Sequence, residues 1–199
     1  HERLSLFRKT NSVLSEQRTE LIILASSCQV MSAPKILARE EAARRAEELR
    51  RAGKRLVTVN GSFDLLHAGH LVILEEAKAQ GDFLFVGMNS DASVRQNKGP
   101  ERPIIPQEER AHMLAALACV DYVVVVDAVE AGRAIIEAVR PHIHVNGSEY
   151  GDPAQWIEHP VMEHYGVTGY VCRRRPGLAT SDLIEKIQQM RVHTLEPHS

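Results

Sequence analysis

The chain is poor in several features that would each place it in a large class. Three cysteines, Cys28, Cys119 and Cys172, occur in 199 residues, far apart and without a CxxC pair. That argues against a disulfide framework or a cysteine-rich zinc site and fits a reducing cytoplasm. There is no basic excess: 24 Lys and Arg stand against 26 Asp and Glu, a net charge of −2. A dedicated duplex nucleic-acid binder is therefore not expected. No apolar run approaches the ~20 residues that span a bilayer. The nearest approach to an export signal is Leu21-Ile22-Ile23-Leu24-Ala25, close to Cys28. It is too short, and Glu16 and Glu20 precede it where a signal peptide carries no acid. No P-loop, GxGxxG, GxSxG or HExxH occurs, and no internal repeat.

What is present fits an ordinary soluble domain: 44% hydrophobic and 25% charged residues, with aromatics at 5%. A chain of this length buries roughly 70% of its unfolded surface and needs no staple. Residues 1–33 are mixed and aperiodic up to Met31-Ser32-Ala33-Pro34, a plausible natural start. They read as an N-terminal extension, native or not. Residues 38–52 carry Ala38, Ala42, Ala46 and Leu49 on one helical stripe. The pairs Glu40–Arg44, Glu41–Arg45 and Glu47–Arg51 lie on a solvated face, and Gly53 is the stop. Residues 34–53 thus read as an N-terminal helix, 54–191 as the functional domain and 192–199 as a tail.

From residue 55 onward, strand and helix signals alternate. Strands are expected at 56–59, 83–86, 122–126, 143–145 and 170–172. Helices are expected at 70–80, 108–118, 130–139, 153–165 with a break near Pro160, and 182–190. Near-continuous apolar strands separated by helices predict a doubly wound, Rossmann-like parallel sheet covered on both faces.

Ligands of such a sheet sit at the carboxyl ends of its strands. The segment after the first core strand is Asn60-Gly61-Ser62-Phe63-Asp64-Leu65-Leu66-His67-Ala68-Gly69-His70. It sets two histidines three apart at the start of a helix. Both point to one side there, and the free N–H groups and helix dipole favour an anion. Gly69 lets a ligand approach the backbone. The alternative is a pair of unrelated histidines; the strand–turn–helix placement weighs against it.

The segment resembles the HxGH signature of the nucleotidyltransferase superfamily of cytidylyl- and adenylyltransferases. Asn89-Ser90-Asp91-Ala92-Ser93-Val94, Lys98-Gly99, Arg102-Pro103, Pro106, Arg110 and Val120-Asp121-Tyr122-Val123 follow in order. Together they resemble the ADP-heptose synthase branch, over about residues 54–188. The resemblance implies direct transfer of a nucleotidyl group from an NTP, ATP first, to a sugar 1-phosphate such as heptose 1-phosphate. Pyrophosphate leaves, without a covalent enzyme intermediate. It implies His67, His70 and Lys98 as catalytic residues, Lys98 on a mobile loop over the triphosphate. Asn60, Gly61, Phe63, Gly69, Asn89, Asn146, Gly147, Thr180 and Ser181 are then nucleotide-binding. Asp64, Arg102, Arg110, Glu149, Tyr150 and Arg174 are candidates for the acceptor or its phosphates. Asp64 has turn capping as its plain reading, and Arg110 an ion pair with Glu108 or Glu109. Mg2+ is expected with the nucleotide rather than in a cage of protein ligands.

The resemblance also implies a cytoplasmic homodimer, with the apolar residues 120–126 near its interface, and a separate sugar kinase. No nucleic-acid or membrane partner is implied. Departures from the branch bear on the acceptor. The branch reads VKGGDY where this chain has Val145-Asn146-Gly147-Ser148-Glu149-Tyr150, so Asn146 replaces a lysine. Ala179 replaces a serine in the last site segment, and Ser62 stands where a cysteine is usual. These keep open a CTP-dependent transferase for a small phosphorylated alcohol such as glycerol 3-phosphate, and a non-catalytic nucleotide-binding module. A zinc site from His142, His144, His159 and His164 lacks closure. Trp156 reads equally as core or as a pocket lid.

Overall fold

The computed structural model describes residues 34–128, 130–173 and 180–193. The chain divides into two compact units, His1–Pro34 and Lys35–Ser199, and the fold described is that of the second. The expected N-terminal extension, Cys28, Arg174 and Ala179 lie outside the described residues.

Six strands form one parallel sheet: β1 (Ile36–Leu37), β2 (Leu56–Gly61), β3 (Phe83–Asn89), β4 (Tyr122–Val126), β5 (Ile143–Gly147) and β6 (Thr168–Cys172). Their spatial order is β1-β4-β3-β2-β5-β6. The described helices are α1 (Arg39–Arg51), α2 (Ala68–Lys78), α3 (Asp91–Lys98), α4 (Gln107–Ala115), α5 (Ala131–Val139), α6 (His159–Tyr165) and α7 (Thr180–His193). The chain winds outward from β2 through β3 to β4, crosses back through α5, and winds the other way through β5 and β6. The order reverses between β2 and β5, so a ligand crevice is expected at their carboxyl ends.

Strand alternation explains the two covered faces. Val57, Val59, Leu84, Val86 and Val123 face one way, packing with Leu74 and Ala77 of α2 and Ala111 and Leu114 of α4. Leu56, Phe85, Val124 and Val126 face the other, under Ala42 and Ala46 of α1 and Ile135 of α5. α5 approaches β3 so closely that a Cβ on Gly87 would lie 2.9 Å from Ile135 Cβ. The helix at residues 34–53 is thus part of the same core.

The doubly wound reading of the sequence holds, with local corrections. α3 and the edge strand β1 carry no clear sequence signal, being only 8 and 2 residues long. Residues 153–165 split into a 3₁₀ turn at Pro153–Gln155 and α6, with Pro160 at the helix start, where its missing N–H does no harm. α7 runs to His193, past the expected tail boundary. On α1, Glu47–Arg51 forms as expected at 2.9 Å. Arg44 instead bridges Glu41 and Glu48. Arg50 donates to the Val139 carbonyl at 2.6 Å, satisfying the carboxyl end of α5. In residues 120–126, Val120, Val123, Val124 and Val126 are buried within the chain, and β4 lies between β1 and β3. Trp156 is core, packed with Ile136, Met162 and Val167. Among the described residues no helix is long and apolar enough to cross a membrane.

Candidate active site

A cavity of about 520 Å³ opens at the carboxyl ends of β2 and β5, where the strand order reverses. Its first wall begins at residues 62–67, between β2 and α2. Phe63 and Leu65 both hold positive φ, at 48° and 52°. Such backbone is disfavoured for bulky residues and persists only where surroundings enforce it. Asp64 is the enforcer: its buried carboxylate accepts from Arg102 Nε at 2.7 Å and from the Ile104 and Ile105 amides at 2.9 and 3.0 Å. Burial alone would push this carboxyl up. The two amides and the guanidinium outweigh it and hold it below its ordinary value.

His67 is the N-cap of α2, its Nδ1 accepting from the Gly69 N–H at 3.0 Å. That acceptor role leaves its proton on Nε2, which lies 3.4 Å from Thr180 Oγ1. The Thr180 hydroxyl in turn donates to the Asp64 carbonyl at 3.0 Å. His70 stacks on His67, with ring centres 4.0 Å apart. Its Nδ1 faces the His67 N–H at 3.4 Å, so Nε2 is its donor. Burial, then His67 and Lys98, lower the His70 pKa to about 4. At neutral pH the wall therefore offers a neutral imidazole donor above a helix N-terminus.

The Asn89-Ser90-Asp91-Ala92-Ser93 segment builds α3 and so aims Lys98. Ser90 caps the helix by accepting from the Ser93 N–H at 3.1 Å, and Asn89 Nδ2 donates to Ser93 Oγ at 2.9 Å. Lys98 is the last residue of α3, not a loop residue, because its helix is capped at both ends. Partial desolvation, then Arg102, lower its pKa.

Arg110, a candidate for the acceptor's phosphate, is turned inward and engaged within the protein. It is 2% exposed, pairs with Asp91 at 2.6 Å, and donates to the carbonyls of Ile105, Asn89 and Ser62. It ties α4 to the ends of β2 and β3, and its partner is Asp91 rather than Glu108 or Glu109. Asp64 likewise has its oxygens engaged, although it borders the cavity.

Asn60, Asn146, Gly147, Glu149, Tyr150, Ile157, Glu158 and residues 130–132 at the start of α5 complete the lining, with Asn60 and Glu158 gathered against Gly132 of α5. Asn60 Oδ1 and Asn146 Nδ2 are buried without a hydrogen-bond partner. Burial raises the Glu158 pKa. Asn60, Gly61, Phe63, Asp64, His70, Asn89, Lys98, Asn146, Gly147, Glu149, Tyr150 and Thr180 line the cavity. His67 and Gly69 lie just behind it, whereas Ser181 is exposed and Arg102 serves Asp64. Sequence reasoning missed Glu130, Ala131, Gly132, Ile157 and Glu158, which no motif marks.

The sequence model of the cytidylyltransferase-like family matches residues 58–197. The bifunctional protein HldE of Geotalea uraniireducens is 47% identical over 144 residues, 72% of this chain and 29% of that protein. The bifunctional protein HldE of Syntrophotalea carbinolica is 44% identical over 153 residues, 77% of this chain and 31% of that protein. The chain thus spans about three tenths of the length of these relatives. Among solved structures, a pantoate-beta-alanine ligase from Francisella tularensis shares the fold, at a TM-score of 0.55 and 14% identity over 84% of this chain and 82% of that one.

Proposed function

Since the chain belongs to the cytidylyltransferase-like family, we propose that it is a nucleotidyltransferase moving a nucleotidyl group from ATP to a sugar 1-phosphate, heptose 1-phosphate first. The observation that carries this reading is the convergence of the α2 N-terminus, the His70 donor and the Lys98 ammonium on one cavity at the sheet's reversal point. The identity to HldE proteins over most of the chain supports the heptose acceptor.

An oxygen of the acceptor phosphate attacks the α-phosphorus. The new P–O bond forms as the bond to the bridging oxygen of the β-phosphate breaks, and pyrophosphate leaves with that electron pair. No residue need become covalently bound. The protein's contribution is positioning and charge stabilisation. His70 Nε2–H and the positive end of the α2 dipole meet the charge shifting toward the leaving group, and His67 holds that helix start by accepting from the Gly69 amide. Lys98 supplies a point charge to the outer phosphates. Asp64 and Arg102 hold the strained 62–67 loop that sets the histidines in place.

Mg2+ enters with the triphosphate. Among the described residues no group of three His, Cys, Asp or Glu side chains is arranged to hold a metal. Asp64 is engaged by Arg102; a bound Mg2+ would neutralise charge on the triphosphate, held by phosphate oxygens and water. The two described cysteines, Cys119 and Cys172, are free thiols, in keeping with a reducing cytoplasm. We take the working unit to be a homodimer.

The test is pyrophosphate release with ATP or CTP, each paired with heptose 1-phosphate, other sugar 1-phosphates and glycerol 3-phosphate. Turnover confined to ATP with a sugar 1-phosphate is expected. Turnover confined to CTP with glycerol 3-phosphate would replace this reading, and nucleotide binding without turnover would make the chain a binding module.

A further inference from the structure

The cavity is electrically lopsided. His70, Lys98 and the α2 N-terminus stand on one side. Glu130 and Glu158 line the cavity beside α5, which packs on the opposite face of the sheet from α2. Phosphates are drawn to the first side and disfavoured beside the acids of the α5 wall.

That wall also holds unmet hydrogen-bonding capacity. Among the described residues four buried side-chain polar atoms lack a partner, and two of them, Asn60 Oδ1 and Asn146 Nδ2, border this wall. Asn146 is 5% exposed and Glu158 is 7% exposed. Asn146 faces Glu158 closely enough to ease its ionisation, yet Nδ2 completes no hydrogen bond. A buried donor and acceptor left open are a standing cost that an incoming partner relieves. One acceptor, one donor and one carboxylate match hydroxyl groups, which both give and take a hydrogen bond. The wall is built tightly for this. A Cβ on Gly132 would collide with the Glu158 carboxylate and come within 2.9 Å of Asn60 Oδ1. A lysine at position 146, usual in the branch this chain resembles, would neutralise Glu158. The amide leaves its oxygens to a ligand.

We propose that Asn60, Asn146 and Glu158 form a subsite for neighbouring hydroxyls of the acceptor sugar, facing the phosphate wall across the cavity. The subsite rests on the nucleotidyltransferase reading and makes it more specific: the acceptor is a polyhydroxylated sugar phosphate held at both ends. The triphosphate carries most of the charge and belongs with the lysine and histidines. The sugar, mostly neutral, belongs with the acids.

The experiment is steady-state kinetics with ATP and heptose 1-phosphate on the wild type, Glu158→Gln and Asn146→Leu. KM for the acceptor should rise about tenfold per lost hydrogen bond to the carboxylate or amide, with KM for ATP within twofold. A monodeoxy acceptor missing the bound hydroxyl should lose the same factor on the wild type and little more on the variants. A rise in the ATP KM alone would assign the wall to the ribose hydroxyls and overturn the proposal. Unchanged constants would make the cluster purely structural and overturn it as well. Absence of turnover in the wild type would defeat the nucleotidyl-transfer reading first. Calorimetric binding of mannose 1-phosphate then decides the subsite by itself. Binding weakened in Glu158→Gln supports it; binding absent, or equal in both proteins, overturns it.

Discussion

The wall built by residues 62–70 and the wall built by Asn146, Glu158 and the start of α5 differ in where their hydrogen bonds go. On the first, Asp64 meets Arg102 and two amides, His67 caps α2, and Thr180 bridges Asp64 and His67. The polar groups are spent on holding one another, so the donors that remain point outward from a rigid frame. On the second, Asn60 and Asn146 keep an acceptor and a donor open, and Glu158 is buried near its neighbours without being neutralised. The first wall is preorganised for charge, the second incomplete until something binds. Burial pushes both carboxyls up, yet the net shifts run opposite: amides and Arg102 hold Asp64 below its ordinary value, and Glu158 stays above it.

The comparison breaks most severely at Arg110, which braces the first wall from behind. Arg110→Ala strips a buried partner from Asp91 and leaves three carbonyls short of a donor. A loss of about 3–5 kcal/mol is expected, read as a fall in denaturant midpoint. Unchanged stability with a raised substrate KM would return Arg110 to the ligand contacts. Next in size are the histidines. His70→Ala should lower turnover by about 10²–10³ with the fold intact by circular dichroism. His67→Ala should do the same and also cost about 1 kcal/mol for the lost cap. Normal turnover in both would take the histidines out of the mechanism.

Acid titration sharpens the contrast. His70 and His144, lowered to about 4 and about 3, take up protons readily only in the unfolded chain. The unfolded state then binds more protons, so stability falls as pH drops from about 6.5 toward those values, by up to about 1.4 kcal/mol per pH unit for each proton. Asp64 acts lower still, its contribution present above 3.8 and lost as pH falls through its depressed native value. His70→Asn should flatten the first part of this decline in a melting series, and an unaltered slope would contradict the assignment. The smallest effect belongs to Glu158. Its raised pKa means that folding is penalised at neutral pH and relieved as the carboxyl protonates. Glu158→Gln should therefore melt slightly higher than the wild type at pH 8, the gain shrinking toward pH 5. A lower melting temperature at pH 8 would show that the carboxylate is stabilising where it stands.

The first wall was readable in advance because its residues are consecutive and short-range. A strand, a turn and a helix start place His67, Gly69 and His70 with little help from the rest of the chain. The second was readable only in part: the resemblance offered Asn60, Asn146, Gly147, Glu149 and Tyr150, whereas Gly132 and Glu158 come from α5 and the approach to α6, and only the tertiary structure brings them to the ends of β2 and β5. Asn146 stood out twice, as a nucleotide-binding candidate and as a departure from the resembling family. Arg110 was misassigned for a related reason: on its own helix it neighbours Glu108 and Glu109, yet Asp91, 19 residues away, takes the pair. Lys98 was misplaced because the 8-residue helix beneath it is stabilised by caps and packing rather than by a long periodic pattern.

By itself the sequence determined the alternation of apolar strands and helices, hence a parallel sheet covered on both faces, and the histidine pair at a helix start. Those rest on periodicity and local backbone preference, which act over a few residues. The tertiary structure alone decided which charges are already spent within the protein and which polar atoms stay open. Hydrogen-bond satisfaction and desolvation depend on partners brought together from distant segments, and no local pattern records them.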